Sequence, residues 1–331
     1  MDKIKFGIIG VGHLGHFHLK VAKDISYFDI VGINDIDPTR MEEISNKYNV
    51  AVFKEVDELL EKCEAISIVV PTKSHYEIGL KALEKGCHVF IEKPITATVE
   101  QGKMLVSLAK DKGLKLQVGH IERFNPAFLS LQHLELSPMF IEAHRLSEFN
   151  PRGTDVSVIL DIMIHDLDIV LKLVDSPINF LHACGVGVVS PSEDIANVRI
   201  EFENGAVANL TASRISAKHM RKMRLFQKDQ YISIDFLNKK SEILSLKQVD
   251  HLKDTGYDIL PIGVIGEGKN KRDIFFVSPP KIDVNSLKLE LEEFARSIIF
   301  DDPVKVSGEE GLRALELAHE IIRLMKKPSN I

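Results

Sequence analysis

The sequence predicts an α/β chain of two domains, a doubly wound parallel sheet followed by an α+β domain on a large, mostly antiparallel open sheet. Three observations carry the prediction. Glycines spaced GxGxxG, at Gly10, Gly12 and Gly15, close an apolar run and open a helix-like one. Strand-like and helix-like segments then alternate at short intervals as far as His120, and beyond it the alternation gives way to strand-rich sequence. The chain of 331 residues has room for two cores. The predicted division is 1–120 and 121–331, the second part serving substrate binding and oligomerisation.

In the opening stretch, Lys5 to His18, Ile8 and Ile9 end a buried strand. Gly10 makes the tight turn, Gly12 lets the backbone approach a pyrophosphate, and Gly15 packs the next helix on the strand. The helix N-terminus then faces an anion with unpaired N–H groups, and His13 and Leu14, inside the turn, become cofactor-binding candidates with the glycines. A second strand, Asp29 to Asn34, ends at Asp35, near the distance of about 20 residues at which an acid takes ribose hydroxyls. A carboxylate there repels a 2′-phosphate, so NAD is the expected cofactor. Arg40, five residues on, would tolerate that phosphate, which keeps NADP as the second choice.

Pro38 can start the next helix, AVF reads as a short third strand, and VDELLEKC is a compact amphipathic helix. Ala65 to Pro71 is a buried strand, followed by a helix that Gly86 closes. Cys87 to Pro94 and Lys115 to His120 complete the sheet, with a helix between them. Open α/β sheets bind ligands beyond the carboxyl ends of their strands. Pro71, Thr72, His75, Glu92, Lys93, Pro94, Gly119 and His120 are therefore expected to share one crevice.

After His120, GHIERFNP reads as the crossing between domains, and residues 139–147 as a strand. Asp155 to Val174 is a helix apolar enough to be buried between layers. Within it Asp161 and His165 stand four apart, on one helical face, and Asp168 can share that face. A carboxylate and an imidazole on a buried face are costly unless hydrogen-bonded or used. The remainder alternates strands with turn signals such as Asn204-Gly205, as in an antiparallel sheet with one face open to a partner subunit. Residues 251–283 show no periodicity and read as a long loop. Two helices end the chain, near 285–300 and 307–327, the second capped by Ser307 with Glu310.

A net charge of −6 argues against nucleic acid as the main partner. No apolar run reaches the ~20 residues of a membrane span and the N-terminus has no signal-peptide pattern, so a cytoplasmic location is expected. Cys63, Cys87 and Cys184 are scattered, which gives neither a disulfide framework nor a thiolate zinc site. The spacing of His13, His16 and His18 fits a phosphate-facing turn better than a ligand set, and no metal is expected.

The glycine turn, Asp35, VVPTKSH (residues 69–75) and IEKP (residues 91–94) together resemble the glucose-fructose oxidoreductase, inositol dehydrogenase and rhizopine catabolism family, Gfo/Idh/MocA. The resemblance implies that Lys93 lies between nicotinamide and substrate. It also implies that Pro71 and Thr72 pass beside the nicotinamide ribose, with Glu92 touching that ribose or anchoring the loop, while His75 is either a cofactor neighbour or a helix start. A second family motif, DxxxHDLD, is matched by Asp161 to Asp168 as written. VGHIERFNPA and the RGTDVSVIL run that precedes the second motif are similar to the branch acting on UDP-N-acetylglucosamine or its uronic acid, which oxidises the sugar 3-hydroxyl.

The chemistry that follows is hydride transfer coupled to loss of a hydroxyl proton. An imidazole, with an ordinary pKa of about 6.5, is a suitable acceptor. His165 is the expected base with Asp161 fixing its tautomer, and Lys93 either holds the developing alkoxide or is itself the base. Arg123 and Arg152 offer guanidinium forks for a diphosphate, with Arg145 a weaker candidate. Phe124 and Asn125 would meet the sugar or shape the interdomain turn. Two other readings remain: an inositol or free-aldose dehydrogenase, and a non-catalytic regulator sensing NAD(H) and a sugar. The expected assembly is a homodimer or homotetramer through the C-terminal sheet.

Overall fold

The computed structural model describes residues 3–149, 156–246, 252 and 255–326. The chain begins with β1 (Ile4–Ile9), α1 (Gly15–Ala22), β2 (Phe28–Asn34), α2 (Pro38–Tyr48), α3 (Val56–Leu60) and β3 (Ala65–Ile68). Then come α4 (His75–Glu84), β4 (His88–Glu92), α5 (Val99–Asp111) and β5 (Leu116–Gly119). The five strands form a parallel sheet ordered β2-β1-β3-β4-β5. Successive connections leave β1 in opposite directions, to β2 and to β3, so a crevice opens past the carboxyl end of β1. The strand expected at AVF shrinks to a single bridge between Val52 and Ile33. Helix starts follow their capping residues: Asp37 accepts from the N–H groups of Thr39 and Arg40 with Pro38 in the first turn, and Thr98 accepts from Gln101.

The second stretch runs through α6 (Pro126–Leu129), β6 (Phe140–Leu146), a π-helical turn (Ile159–Met163) and α7 (Ile164–Leu173). Eight strands follow, β7 (Ile178–Val186), β8 (Ile195–Phe202), β9 (Val207–Ser213), β10 (Met220–Gln227), β11 (Gln230–Asp235), β12 (Lys240–Ser245), β13 (Asp258–Ile265) and β14 (Arg272–Ser278). With β6 they form one nine-stranded sheet, ordered β13-β14-β12-β11-β10-β6-β9-β8-β7. Among the described residues only β6 and β9 of this sheet pair parallel. Alternate residues face inward, Ile141, Val198, Leu210, Leu225 and Ile232 among them, and pack against Ile159, Met163, Leu167 and Val170 from the helical layer.

The other face of this sheet carries an apolar row. Val207, Phe140, Phe226, Tyr231, Leu244, Phe276 and Leu260 are successive cross-strand partners, from β9 to the edge strand β13. Two residues along, the same face turns polar, with Glu142 accepting from Arg224 at 2.7 Å.

Within the loop that the sequence predicts over 251–283, β13 and β14 make an antiparallel hairpin between Asp258 and Ser278. β13 is solvated on both faces and shifts register between Pro261 and Gly263, so no period-two alternation marks it. The two last helices, α8 (Ser286–Ile299) and α9 (Gly308–Met325), stand where expected. Ser307 and Glu310 form the reciprocal cap, each backbone N–H donating to the other's side chain at 3.1 and 3.2 Å.

Two compact units result, Met1–Phe124 with Val284–Glu316, and Asn125–Asp283 with Leu317–Ile331. The division expected at 120/121 misses this return of the chain to its first unit. Its cause is packing: Leu291, Phe294 and Ala295 of α8 share one core with Phe6, Leu19, Phe28 and Phe90. Among the described residues no helix is long and apolar enough to cross a membrane.

Candidate active site

The three glycines of the turn differ in what surrounds them. Gly10 has φ +87°, and a Cβ there would stand 2.3 Å from the Val69 carbonyl oxygen. At Gly15 a Cβ would stand 1.8 Å from the Gly10 oxygen, so α1 can approach the turn only without a side chain. Gly12 is the opposite case, with nothing within 4 Å of where its Cβ would be. Two glycines thus serve close packing while the third bares backbone toward open space, the form of a cradle for a pyrophosphate. His13 and Leu14 are exposed beside it.

Asp35 and Arg40 meet at the same point of this turn. Asp35 Oδ2 accepts from the Val11 N–H at 2.7 Å and Oδ1 from the Asp37 N–H at 3.1 Å. Arg40 Nε donates to the Val11 carbonyl at 3.0 Å, and its Nη1 to Glu43 at 2.6 Å. A carboxylate has about four acceptor sites, so Asp35 keeps capacity for ribose hydroxyls beyond these two bonds. The residues fit a dinucleotide with free ribose hydroxyls.

Past the end of β3, Pro71 is exposed and Thr72 opens a 3-10 turn (Thr72–Ser74) that leads into α4. His75 is not exposed to this crevice: it is buried, with Nδ1 2.9 Å from the Pro94 carbonyl oxygen and Nε2 2.8 Å from that of Val70. Burial pushes its pKa down, against the opposing pull of the two carbonyls. His75 thus opens α4, the expected helix start, and in addition ties the end of β3 to the loop after β4.

That loop begins at Glu92 and carries the half-buried Lys93. Burial alone would raise the Glu92 pKa, but the hydrogen bond and charge of His18, with the charge of Lys93, hold it below the usual carboxylate value. His18 Nε2 lies 3.1 Å from Glu92 Oε1, and His18 Nδ1 3.0 Å from the hydroxyl of Ser67 on β3. In the sequence His18 stands with His13 and His16 in the turn's histidine cluster. Its signal was the spacing of Gly15, His18, Leu19 and Ala22, which puts the imidazole on the buried side of α1.

In the second unit, Asp161 lies exposed in the π-helical turn, His165 half-buried in the first turn of α7, and Asp168 buried. The expected helix from Asp155 to Val174 is therefore altered: its first residue lies outside the described part, and i→i+5 bonding widens the turn that holds Asp161. The one-above-the-other placement of an α-helix does not carry over unchanged. π-helical turns occur often at functional sites. Asp166, on another face, binds Arg145 of β6 through two guanidinium nitrogens at 2.8 to 3.1 Å, with both side chains buried. Arg145 is thereby committed to the core.

Three other substrate candidates are also interior. Arg123 is buried, and its Nη1 lies 3.3 Å from Glu310. Phe124 is buried in the same 3-10 turn (Ile121–Phe124). Asn125 caps α6, accepting from the Ala127 N–H and donating to the Phe236 carbonyl, both at 3.0 Å. Arg152 lies outside the described residues. Among the described residues no cluster of His, Cys, Asp and Glu is arranged to hold a metal ion.

Residues 4–120 match the model of an oxidoreductase family with an NAD-binding Rossmann fold, and residues 137–233 match the Gfo/Idh/MocA C-terminal domain. The chain is 36% identical over 322 residues to UDP-N-acetylglucosamine 3-dehydrogenase of Acidithiobacillus ferrooxidans, covering 97% of each protein. A solved structure of that enzyme superposes with a TM-score of 0.87 at 33% identity, over 98% of this chain and 99% of the other. Against scyllo-inositol 2-dehydrogenase (NAD(+)) of Bacillus subtilis the identity is 28%, over 65% of this chain and 68% of that protein. With both domains matched and a relative 36% identical over nearly the whole chain, the chain belongs to the Gfo/Idh/MocA family of oxidoreductases, with NAD as cofactor.

Proposed function

We propose that this enzyme oxidises the 3-hydroxyl of UDP-N-acetylglucosamine, or of a closely related UDP-sugar, to the 3-keto sugar. The observation that carries the reading is the 36% identity to a dehydrogenase of that name across 97% of both chains. Lys93, Asp161 and His165 stand at the family's motif positions in addition. Bound NAD supplies the hydride acceptor. Gly10, Gly12, His13, Leu14 and Gly15 hold its pyrophosphate, Asp35 its adenosine ribose, and Pro71, Thr72 and Glu92 line the nicotinamide end. His165 takes the hydroxyl proton, Asp161 orients its ring, and the Lys93 ammonium steadies the charge that develops on the oxygen.

NADH formation on a panel of UDP-sugars, free aldoses and inositols tests the substrate, with a ketone trap to draw the equilibrium forward. UDP-N-acetylglucosamine should turn over and inositol should not; the reverse result assigns the chain to the inositol branch. No turnover on any member, with NAD still bound, favours the sensor reading. Lys93→Ala and His165→Ala should each lose about 100-fold or more in kcat while NAD affinity stays within a few-fold. Normal turnover by His165→Ala removes it as the base.

We also infer that the outer face of the nine-stranded sheet pairs with a second copy of the chain. Strands about 4.8 Å apart give the nine-stranded face a width of about 40 Å. Over strands about 20 Å long this approaches the roughly 800 Å² per partner of a stable interface. The apolar row supplies what such an interface buries, and the Glu142–Arg224 ladder beside it supplies polar contacts of both signs.

A further inference from the structure

Beneath the lysine loop lies a chain of three polar side chains, all within the first unit: the buried Ser67 on β3 and His18 on α1, and the half-buried Glu92 at the end of β4. Ser67 and His18 are 0% and 2% exposed. An ionised carboxylate only accepts, so the 3.1 Å contact requires the proton on His18 Nε2. Nδ1, on the other side of the ring, is hydrogen-bonded to the Ser67 hydroxyl, which holds the ring plane. The ring also stands edge-on to Phe90, with centroids 5.5 Å apart, which leaves it little freedom to turn.

Serine, histidine and carboxylate in this order have the make-up of a hydrolytic triad. That use is closed here, because Ser67 sits fully buried in the middle of a parallel strand and no substrate carbonyl can reach it. The far end of the chain points to another purpose. Glu92 Oε2 accepts from the backbone N–H of Lys93 at 3.3 Å, and its charge faces the charge of Lys93. Gly119 on β5 leaves room for the carboxylate, since a Cβ there would stand 2.9 Å from Oε1.

We propose that His18 is a positioning residue for the dehydrogenase reaction: locked by Ser67, it fixes the Glu92 carboxylate, which in turn anchors the loop that carries Lys93. The proposal rests on Lys93 acting as described above. The titratable groups around Glu92 are His18 from α1, Lys93 on its own loop and His75 from α4. His18 and Lys93 stabilise the anion. Without the His18 donor, burial acts on Glu92 with less opposition, and the carboxyl takes up its proton at higher pH.

The test uses His18→Leu, His18→Gln, Glu92→Gln and the double variant His18→Leu/Glu92→Gln in the full-length protein. Leu removes the donor, whereas Gln can place an amide N–H near the position of Nε2. We expect His18→Leu to lower kcat about tenfold or more, as loss of an oriented active-site group does, and His18→Gln to recover most of that loss. The double variant should be no slower than Glu92→Gln. Independently of turnover, carboxyl-carbon NMR on cofactor-free protein should show Glu92 titrating below the ordinary glutamate range in the wild type. In His18→Leu it should titrate above it. The proposal is overturned if His18→Leu leaves the Glu92 titration in place, if Gln does no better than Leu, or if the two single losses simply add. Should His18→Leu not fold, Ser67→Ala provides the same comparison, with a smaller upward move of Glu92 expected and an unmoved titration overturning the proposal. A Lys93→Gln variant that retains turnover sinks the lysine reading instead, while the NMR titration still reports on His18 and Glu92.

Discussion

At the residue scale, the cofactor end of the site rests on contacts that one atom can spoil. Gly15→Ala would place a methyl 1.8 Å from the Gly10 oxygen, so the turn must open. Loss of NAD binding by calorimetry and a lower Tm are expected together. Asp35→Ala removes charge-assisted hydrogen bonds worth about 1.5–3 kcal/mol, so NAD affinity should fall about 10- to 100-fold and the NAD/NADP preference should relax. Unchanged affinity in a direct titration would take the ribose role from Asp35. These residues were legible in the sequence because glycine spacing and a strand-end acid are local signals. His18 was not, because its partners Ser67 and Glu92 are brought to it from two other strands. The contacts of Asn125 and Arg123 were equally out of sight, because the Phe236 carbonyl and Glu310 lie more than a hundred residues along the chain from them.

At the element scale, the turn between β7 and β8 is held by one carboxylate. Asp194 Oδ2 accepts from the N–H groups of Val188, Val189 and Ser190 at 2.7 to 2.8 Å, and Oδ1 from Arg214 Nε at 2.9 Å. Burial would raise its pKa, but these donors together pull it well below the usual value. A carboxyl depressed in the folded state contributes stability that is present above its unfolded pKa, near 4. That contribution begins to fade as the pH falls below the unfolded value and is gone only below the folded one. Urea unfolding between pH 6 and 3 should therefore show a steeper acid loss in the wild type than in Asp194→Asn, which starts less stable at neutral pH. His75 acts in the same direction from higher pH: burial lowers its folded pKa, so its contribution begins to weaken as the pH drops below about 6.5. Parallel slopes for Asp194→Asn and wild type would refute the Asp194 argument. The elements that the sequence marked well were the buried strands and capped helices, where Ser307 and Glu310 signal an end directly. β13 was hidden because a strand wetted on both faces has no reason to alternate.

At the scale of the whole molecule, the proposed assembly rests on the outer face of the nine-stranded sheet. Phe226→Glu or Leu244→Glu would set a charge into the apolar row while leaving the inner core untouched. Sedimentation equilibrium should find the wild type as a dimer or larger and these variants with a smaller mass. A wild-type monomer at micromolar concentration would remove the interface. The class of fold was readable from the change of rhythm after His120, but the return of α8 to the first unit was not. That return depends on Leu291, Phe294 and Ala295 finding Phe6 and Phe90, which lie roughly two hundred residues or more away along the chain.

The Arg145–Asp166 pair joins these scales, because it bolts a central strand to the helix that carries His165. Strand pairing has a period of two, so a slip of β6 by one residue against β9 or β10 would turn Arg145 to the outer face. Asp166 would then be a buried anion deprived of its guanidinium, a penalty of about 3–5 kcal/mol. The ion pair thereby proofreads alignment, and a sheet that closes in the wrong frame cannot also seat the helix bearing the proposed base.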